Sequence, residues 1–599
     1  MGKTASNLAL SVGYAAVAVA IVLARREPAA GYEVSVYAGT PGAAWAALGV
    51  ALTVAVATAL ACRGVHQAAA IGLGGFAMTA IVSLPVIRGY HFVGKGDGLT
   101  HLGWVRDFLG GAMAPHELFY PGLHTVASLL YLVAGVDVPH GLMLAVVALF
   151  VPFVIFVPLV VRDVTGNALA VGFAGIVAWF VLPINNIATH MGAHSNSNAL
   201  FFVPVFLFAL VAYLGRRSPD ERLPLGLSPY GALIVLFGVA LLLVHPQQMI
   251  NVVVILAAIS GVQYLARRRF DEHPILEHPT AHAYTAALGA TFVVWAVANE
   301  RFRNAFGGLL YGLATADIGG DEEVGQREAS LAEIGGSLPE LFAKLFGVSA
   351  LVGFLVACFL LVLWAGRSRM NAESRSIVTY LGISLFPLGG IFLVYFVGTP
   401  TMAFRQVGFI FVLLTILGAI ALAALVGWTG RFVPAGATTA LAAVLLGACL
   451  VLALLTIFGS PFIYSPSQHV SEQTYHGYEA AIVNGNDQPY AGYGYNVYRY
   501  NDAIYGPETM TDEQAAIMGA GAPEGSVEMD AFNDRQYADA YPADGDYFLA
   551  VSEFDTTREF EIYQELNYER AAFEDLENHE GSAKYVSNEE FALYEIREE

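Results

Sequence analysis

Apolar residues come in runs of roughly 17–25, the length that crosses a bilayer as a helix. Thirteen such runs fall near 7–24, 43–62, 68–88, 140–161, 168–186, 198–214, 229–245, 249–266, 282–297, 345–366, 377–397, 405–427 and 436–457. No small-residue cleavage site follows the first, so it reads as a retained helix. The first long hydrophilic break spans 89–139 and ends in an apolar stretch, Pro121 to Val136, whose 16 residues are short for a span. This stretch reads as a helix lying in or dipping into the outer leaflet. After 457 the long runs stop. Tyr547–Val551 and Phe591–Ile596 then read as strands, and 559–579 as helical.

The predicted architecture is an all-α polytopic membrane domain of about 13 transmembrane helices, residues 1–457, followed by a small extracytoplasmic α/β domain, residues 458–599. Composition agrees: 56% of the 599 residues are hydrophobic and the mean hydropathy is +0.57.

Charge predicts sidedness. With the N-terminus cytoplasmic, the inner loops hold thirteen basic residues, among them Arg216, Arg217, Arg267, Arg268 and Arg269, against seven acids. Short arginine-rich inner loops are the common pattern. The Arg25–Arg26 pair falls outside and dissents. The tail, placed outside, has 29 of the 50 acids and only six basic residues. A solvated surface in a salt-rich, haloarchaeal-like setting accounts for that acidity; a cation or a basic partner is the other reading. Cys62, Cys358 and Cys449 all fall in or at spans, leaving the tail no disulfide. No P-loop-like glycine loop and no basic nucleic-acid patch is present.

No Asp, Glu, Lys or Arg lies well inside any predicted span, which weighs against a coupled transporter. Polar residues gather instead at the outer helix ends, in four segments. The first carries Lys95, Asp97, His101, Arg106, His116, Tyr120 and His124. The others are Ile187–Asn198, with His190, His194 and Asn196; His245–Gln248; and Gly398–Arg405. Asp97 is bracketed by Gly96 and Gly98, which let a backbone pass close to a ligand. The same Asp-Gly pair also suits a plain turn.

This layout resembles the C-class (GT-C) membrane glycosyltransferases, whose members include oligosaccharyltransferase subunits and protein mannosyltransferases. In that superfamily a large first outer loop bears an essential acid soon after a span, followed by amphipathic helices. Here Gly96-Asp97-Gly-Leu-Thr-His101 takes that place, Phe119-Tyr-Pro-Gly-Leu-His124 resembles the helix start, and Arg162-Asp-Val-Thr-Gly166 the short inner turn. The second outer loop, Thr189–Asn198, has His and Asn where oligosaccharyltransferases carry metal-binding acids, and the tail lacks Trp-Trp-Asp-Tyr-Gly. Both departures favour a transferase that uses a lipid-phosphate monosaccharide.

The resemblance implies an inverting hexosyltransferase at the extracytoplasmic face of the cell membrane, moving a sugar from a polyprenyl or dolichyl phosphate to a glycan or glycoprotein acceptor. Asp97 is the candidate base, with His101 beside it. Arg405 is the candidate for the leaving phosphate. Arg106, His124, His190, His194, Asn196 and His245 are candidate substrate-binding residues. No cofactor is implied; a divalent metal on His190, His194 and Asp97 is a lesser option. Asp321, Glu322 and Glu323, in the long outer loop 298–343, are a solvated segment or a lid. The competing reading is a non-catalytic membrane protein, or a flippase for a lipid-linked sugar, that presents the acidic domain.

Overall fold

The structure is a computed structural model. It describes residues 2–94, 96–215, 223–224, 228–300, 302–304, 307–308, 336–398, 400–485, 488–493, 497–518, 527–541 and 545–598. Lys95, Arg216, Arg217 and Asp321–Glu323 lie outside these residues.

Each of the thirteen predicted spans has its helix. In chain order they are α1 (Lys3–Arg26), α2 (Gly42–Ala61), α3 (Val65–Val82), then, after two outer helices, α6 (Val138–Thr165), α7 (Ala168–Ala178), α8 (Ser195–Leu214), α9 (Pro229–Val244), α10 (Pro246–Arg269), α11 (His282–Ala298), α12 (Leu338–Trp364), α13 (Ala372–Gly398), α14 (Pro400–Thr429) and α15 (Ala435–Leu454). Ten are long and apolar enough to cross a membrane; α7, α9 and α11 are shorter. Large apolar side chains stay exposed along the outer surface of the bundle, such as Phe354, Leu361, Phe386 and Val444. A surface of that kind is stable only against lipid. Residues 89–139 supply α4 (Asp97–Gly110) and the amphipathic α5 (Gly122–Ala134), 13 residues long, where the leaflet helix was expected.

One span is cut short. The apolar run 168–186 predicts a full crossing, but helix α7 ends at Ala178 and residues 179–194 fold back as a buried non-helical segment. Buried backbone without a helix needs other partners, and two side chains supply them. Asn185 Oδ1 accepts from the N–H groups of Ile187 and Ala188 at 3.0 Å each, and its Nδ2 donates to Phe404 O at 2.8 Å. Thr189 Oγ1 donates to Pro183 O at 2.8 Å and accepts from Asn185 N–H at 3.0 Å. Val181 and Asn186 sit at φ 50° and 53°, the turns of this fold-back. The sequence's open outer loop 187–198 is therefore mostly interior, and α8 already starts at Ser195. The other boundaries also move: Arg405 lies inside α14, which starts at Pro400, and Pro246–Gln248 open α10 with His245 as the one residue between two helices.

The tail forms a mixed four-stranded sheet in the order β3-β4-β6-β5: β3 (Tyr490–Ala491), β4 (Tyr547–Ser552), β5 (Ser582–Ser587) and β6 (Phe591–Ile596). Both predicted strands are present and pair antiparallel from Tyr547↔Ile596 to Ser552↔Phe591. The expected helix 559–579 is instead a short π-helical turn, Arg558–Ile562, and a separate α18 (Arg570–Leu576), because Gln564 and Glu565 take left-handed backbone between them. Two longer helices of the tail are α16 (Glu472–Asn484) and α17 (Val497–Tyr505).

The tail is bonded to the membrane domain and does not stand apart from it. Strands β1 (Phe92–Val93) and β2 (His469–Val470) pair antiparallel, joining the outer segment to the start of the tail. The link after α1 joins as well: Tyr32 N–H donates to Glu590 Oε1 at 2.8 Å, and Ser467 N–H donates to Val34 O at 3.0 Å. Arg88 Nη2 holds Glu33 Oε1 at 2.7 Å, with Tyr90 on the same carboxylate and stacked on His469 at 3.8 Å. Tyr475, Tyr478, Val497 and Tyr500 of the tail share one buried cluster with Leu99, Leu102 and Val105 of α4.

Candidate functional site

At the helix ends covered by the tail lies a cavity of about 170 Å³ lined by Gly94, Asp97, Gly98, Ile187, Ala188, His190, Gly192, Ala193, His194, Thr401, Arg405 and Gln468. Four stretches far apart in sequence meet here: the start of α4, the fold-back segment, the start of α14 and the strand-leading residues of the tail.

Backbone geometry places the acid. Gly94 has φ 144° and Gly96 φ 56°, the latter as the N-cap of α4, so the chain turns sharply and sets Asp97 as the first helical residue. A carboxylate suits a helix N-terminus. Gly98 has ordinary helical backbone, and a Cβ there would meet its nearest atoms at 3.8 Å, an ordinary contact, so neither conformation nor close packing requires glycine at this position.

Asp97 Oδ1 lies 2.9 Å from Arg499 Nη2, on α17 of the tail. Arg499 Nη1 also donates to Thr100 Oγ1 at 2.6 Å, and that hydroxyl bonds Asp502 Oδ2 at 2.6 Å. Residues of the tail thus grip the first turn of α4. Sequence reading missed Arg499, Asp502 and Gln468. The one signal available was that Arg499 is among only six basic residues in a tail with 29 acids.

Arg405 faces the same cavity. Its Nε is buried with no hydrogen-bond partner among the described residues, and Nη1 reaches only Met402 Sδ at 3.9 Å. A buried guanidinium N–H with no protein acceptor is costly, and the Arg405 guanidinium is the cationic part of the cavity wall. His190 and His194 stand 6.0 Å apart, ring centre to ring centre, nearly at right angles. His194 caps α8, its Nδ1 2.9 Å from Ser197 Oγ. Burial, reinforced by the Arg405 cation, pushes the His190 imidazole down to about 4 and His194 well below its ordinary value. Both are neutral at pH 7. Among the described residues no group of three or more His, Cys, Asp or Glu converges as a metal site.

The other candidate residues take places around this cavity and not on its wall. His101 turns inward, with Nδ1 2.9 Å from His124 Nε2, in a cluster with Trp104 and Tyr120. Tyr120 stacks on His245 at 5.4 Å, and His245 caps α10. Asn196 Oδ1 accepts from Gln248 Nε2, whose Oε1 accepts from Asn251 Nδ2 at 3.0 Å. Asn196 Nδ2 and Asn251 Oδ1 remain buried without a partner among the described residues. Arg106 points into the tail and donates to Tyr475 OH at 3.0 Å.

The order of parts expected from the C-class glycosyltransferases is present: an acid opening the first outer segment after α3, an amphipathic helix, a short turn at Gly166 and a second segment brought back beside the acid. No family model and no curated protein matches the sequence. In fold the chain is similar to ArnT from Cupriavidus metallidurans, solved bound to undecaprenyl phosphate. That likeness has 13% identity and a TM-score of 0.44, covering 89% of this chain and 98% of that one. Against the apo form of the same protein the values are 14% and 0.37, covering 88% and 98%.

Proposed function

We propose that this protein is a membrane glycosyltransferase of the C class. It moves a sugar from a polyprenyl- or dolichyl-phosphate donor to a hydroxyl of a glycan or glycoprotein on the extracytoplasmic face of the cell membrane. The observation that carries the reading is the shared cavity of Asp97 and Arg405, a carboxylate and a partly unpartnered guanidinium at helix ends.

The chemistry uses both. The acceptor oxygen attacks the anomeric carbon while its proton passes to the Asp97 carboxylate. The bond from that carbon to the phosphate oxygen breaks on the opposite side, and the electron pair leaves with the lipid phosphate. In-line displacement inverts the anomeric centre. Arg405 takes the phosphate with charge-assisted hydrogen bonds, stronger where water is excluded. The neutral His190 and His194 offer polar atoms without a competing charge. Arg499 holds the carboxylate in its orientation before the acceptor arrives. Asn196, whose Nδ2 has no partner among the described residues, and His245 form a polar layer behind the wall of this site.

The test is direct. Purified protein in lipid nanodiscs receives a radiolabelled polyprenyl-phosphate hexose and, in parallel, the corresponding nucleotide sugar. Released polyprenyl phosphate with label on an acceptor hydroxyl, from the lipid donor alone, is the expected result. Transfer from the nucleotide sugar alone contradicts the reading.

A further inference from the structure

At the end of the bundle away from Asp97, a lateral cavity of about 780 Å³ opens between α12 and α14. Its walls are apolar, with Phe359 on α12 and Ile420 and Trp428 on α14. Its rim carries three cations: Arg367 and Arg369 in the turn after α12, and Arg431 just past α14.

Among the described residues no acid pairs with these charges. Of the acids on neighbouring elements, Asp163 is held by Arg162 at 3.3 Å, and Glu373 faces the end of α8, where its Oε1 would lie 3.3 Å from a Cβ on Gly215. An interfacial arginine alone is ordinary, since its stem can lie along apolar surface with its head in water. Three unpaired ones around a single apolar cavity form an amphipathic receptor: a place for a chain below and for an anion above.

We propose that this cavity binds an anionic phospholipid of the leaflet opposite the Asp97 site, its phosphate on Arg367, Arg369 and Arg431 and one acyl chain between α12 and α14. Guanidinium groups match phosphate oxygens in two-point contacts, and basic clusters between transmembrane helices recognise anionic head groups. A zwitterionic lipid brings its own cation to the three arginines and is disfavoured. The assignment does not depend on the glycosyltransferase reading.

Trp428 on the cavity wall provides the readout. Full-length protein in detergent micelles is titrated with phosphatidylglycerol brominated in its acyl chains, and fluorescence of the Trp428→Phe variant is subtracted. Saturable quenching of Trp428 is expected, with brominated phosphatidylcholine needing roughly 10–100-fold more lipid for the same effect. Replacing all three arginines by alanine should abolish that preference, and replacing them by lysine should keep most of it. Equal quenching by the two lipids in the wild type overturns the proposal, as does an unchanged preference in the alanine variant. Inorganic phosphate should not displace the lipid at millimolar concentration; full displacement identifies a free-anion site and also overturns it.

Discussion

Arg499 of the tail lies 2.9 Å from the Asp97 carboxylate, although ten helices of the membrane bundle separate the two in sequence. The tail therefore supplies a residue to the candidate site. Arg499→Ala frees the Asp97 carboxylate and leaves the Thr100 hydroxyl bonded to Asp502 alone, so turnover should fall by on the order of 10-fold. Arg499→Lys keeps one contact and should fall in between, because a point charge cannot bridge both partners. The two variants are compared by kcat with a lipid-phosphate sugar. Wild-type kcat in Arg499→Ala would reduce the ion pair to a surface contact.

The interface between tail and outer segment buries two acids. Asp107 is raised from 3.8 to about 6 by burial, and so is Asp502, although Thr100 and Arg499 oppose the shift there. A carboxyl raised in the folded state favours docking when protonated. That contribution is complete below about pH 4 and is lost as pH rises through about 6. His91, lowered to about 4 by burial beside Tyr475 and His476, acts the other way as pH falls. The quantity to measure is therefore the difference between wild type and the Asp107→Asn, Asp502→Asn double variant. Hydrogen exchange over 497–510 should slow in the wild type from pH 7.5 to 5 relative to the double variant. Equal pH dependence in both would remove these acids from the docking energetics.

Sidedness is open to labelling. In a variant lacking Cys62, Cys358 and Cys449, a cysteine replacing exposed Glu472 should react with an impermeant maleimide in intact cells. One replacing exposed Glu272, next to Arg267–Arg269, should react only after lysis. The reverse pattern would put Asp97 on the side of the nucleotide sugars and end the lipid-donor argument.

Arg405→Lys should act on donor binding. The buried Nε loses its N–H, and lysine cannot present a planar fork to phosphate. The expected outcome is a KM for the lipid-phosphate sugar raised roughly 10-fold or more, with a smaller fall in kcat because the same contact stabilises the departing phosphate. A normal KM would remove Arg405 from the phosphate site.

The spans were legible because runs of roughly 20 apolar residues have few other stable fates. Residues 179–186 were not. Phe180, Val181, Leu182 and Ile184 score as membrane-spanning, while the backbone is satisfied by Asn185 and Thr189, a local arrangement that hydropathy does not register. Asp97, His190, His194 and Arg405 could be named from helix ends and do meet in one cavity. His101 and Arg106, four and nine residues further along the same helix, turn to His124 and Tyr475 instead, because one face of α4 packs on the membrane helices and another on the tail. Arg499 was invisible for a different reason. Docking of a tail onto a distant loop leaves no periodicity in either segment.

In the proposed reaction Asp97 takes the proton of the acceptor hydroxyl as that oxygen displaces lipid phosphate from the donor sugar. Asp97→Asn keeps the size and the hydrogen-bonding capacity of the side chain and removes the proton acceptor. The measurement is single-turnover transfer from a polyprenyl-phosphate hexose by wild type and Asp97→Asn, with donor affinity determined separately by binding. Transfer should slow by on the order of 10²–10⁴-fold, with donor affinity within about twofold of wild type. Unchanged transfer by Asp97→Asn would contradict the account.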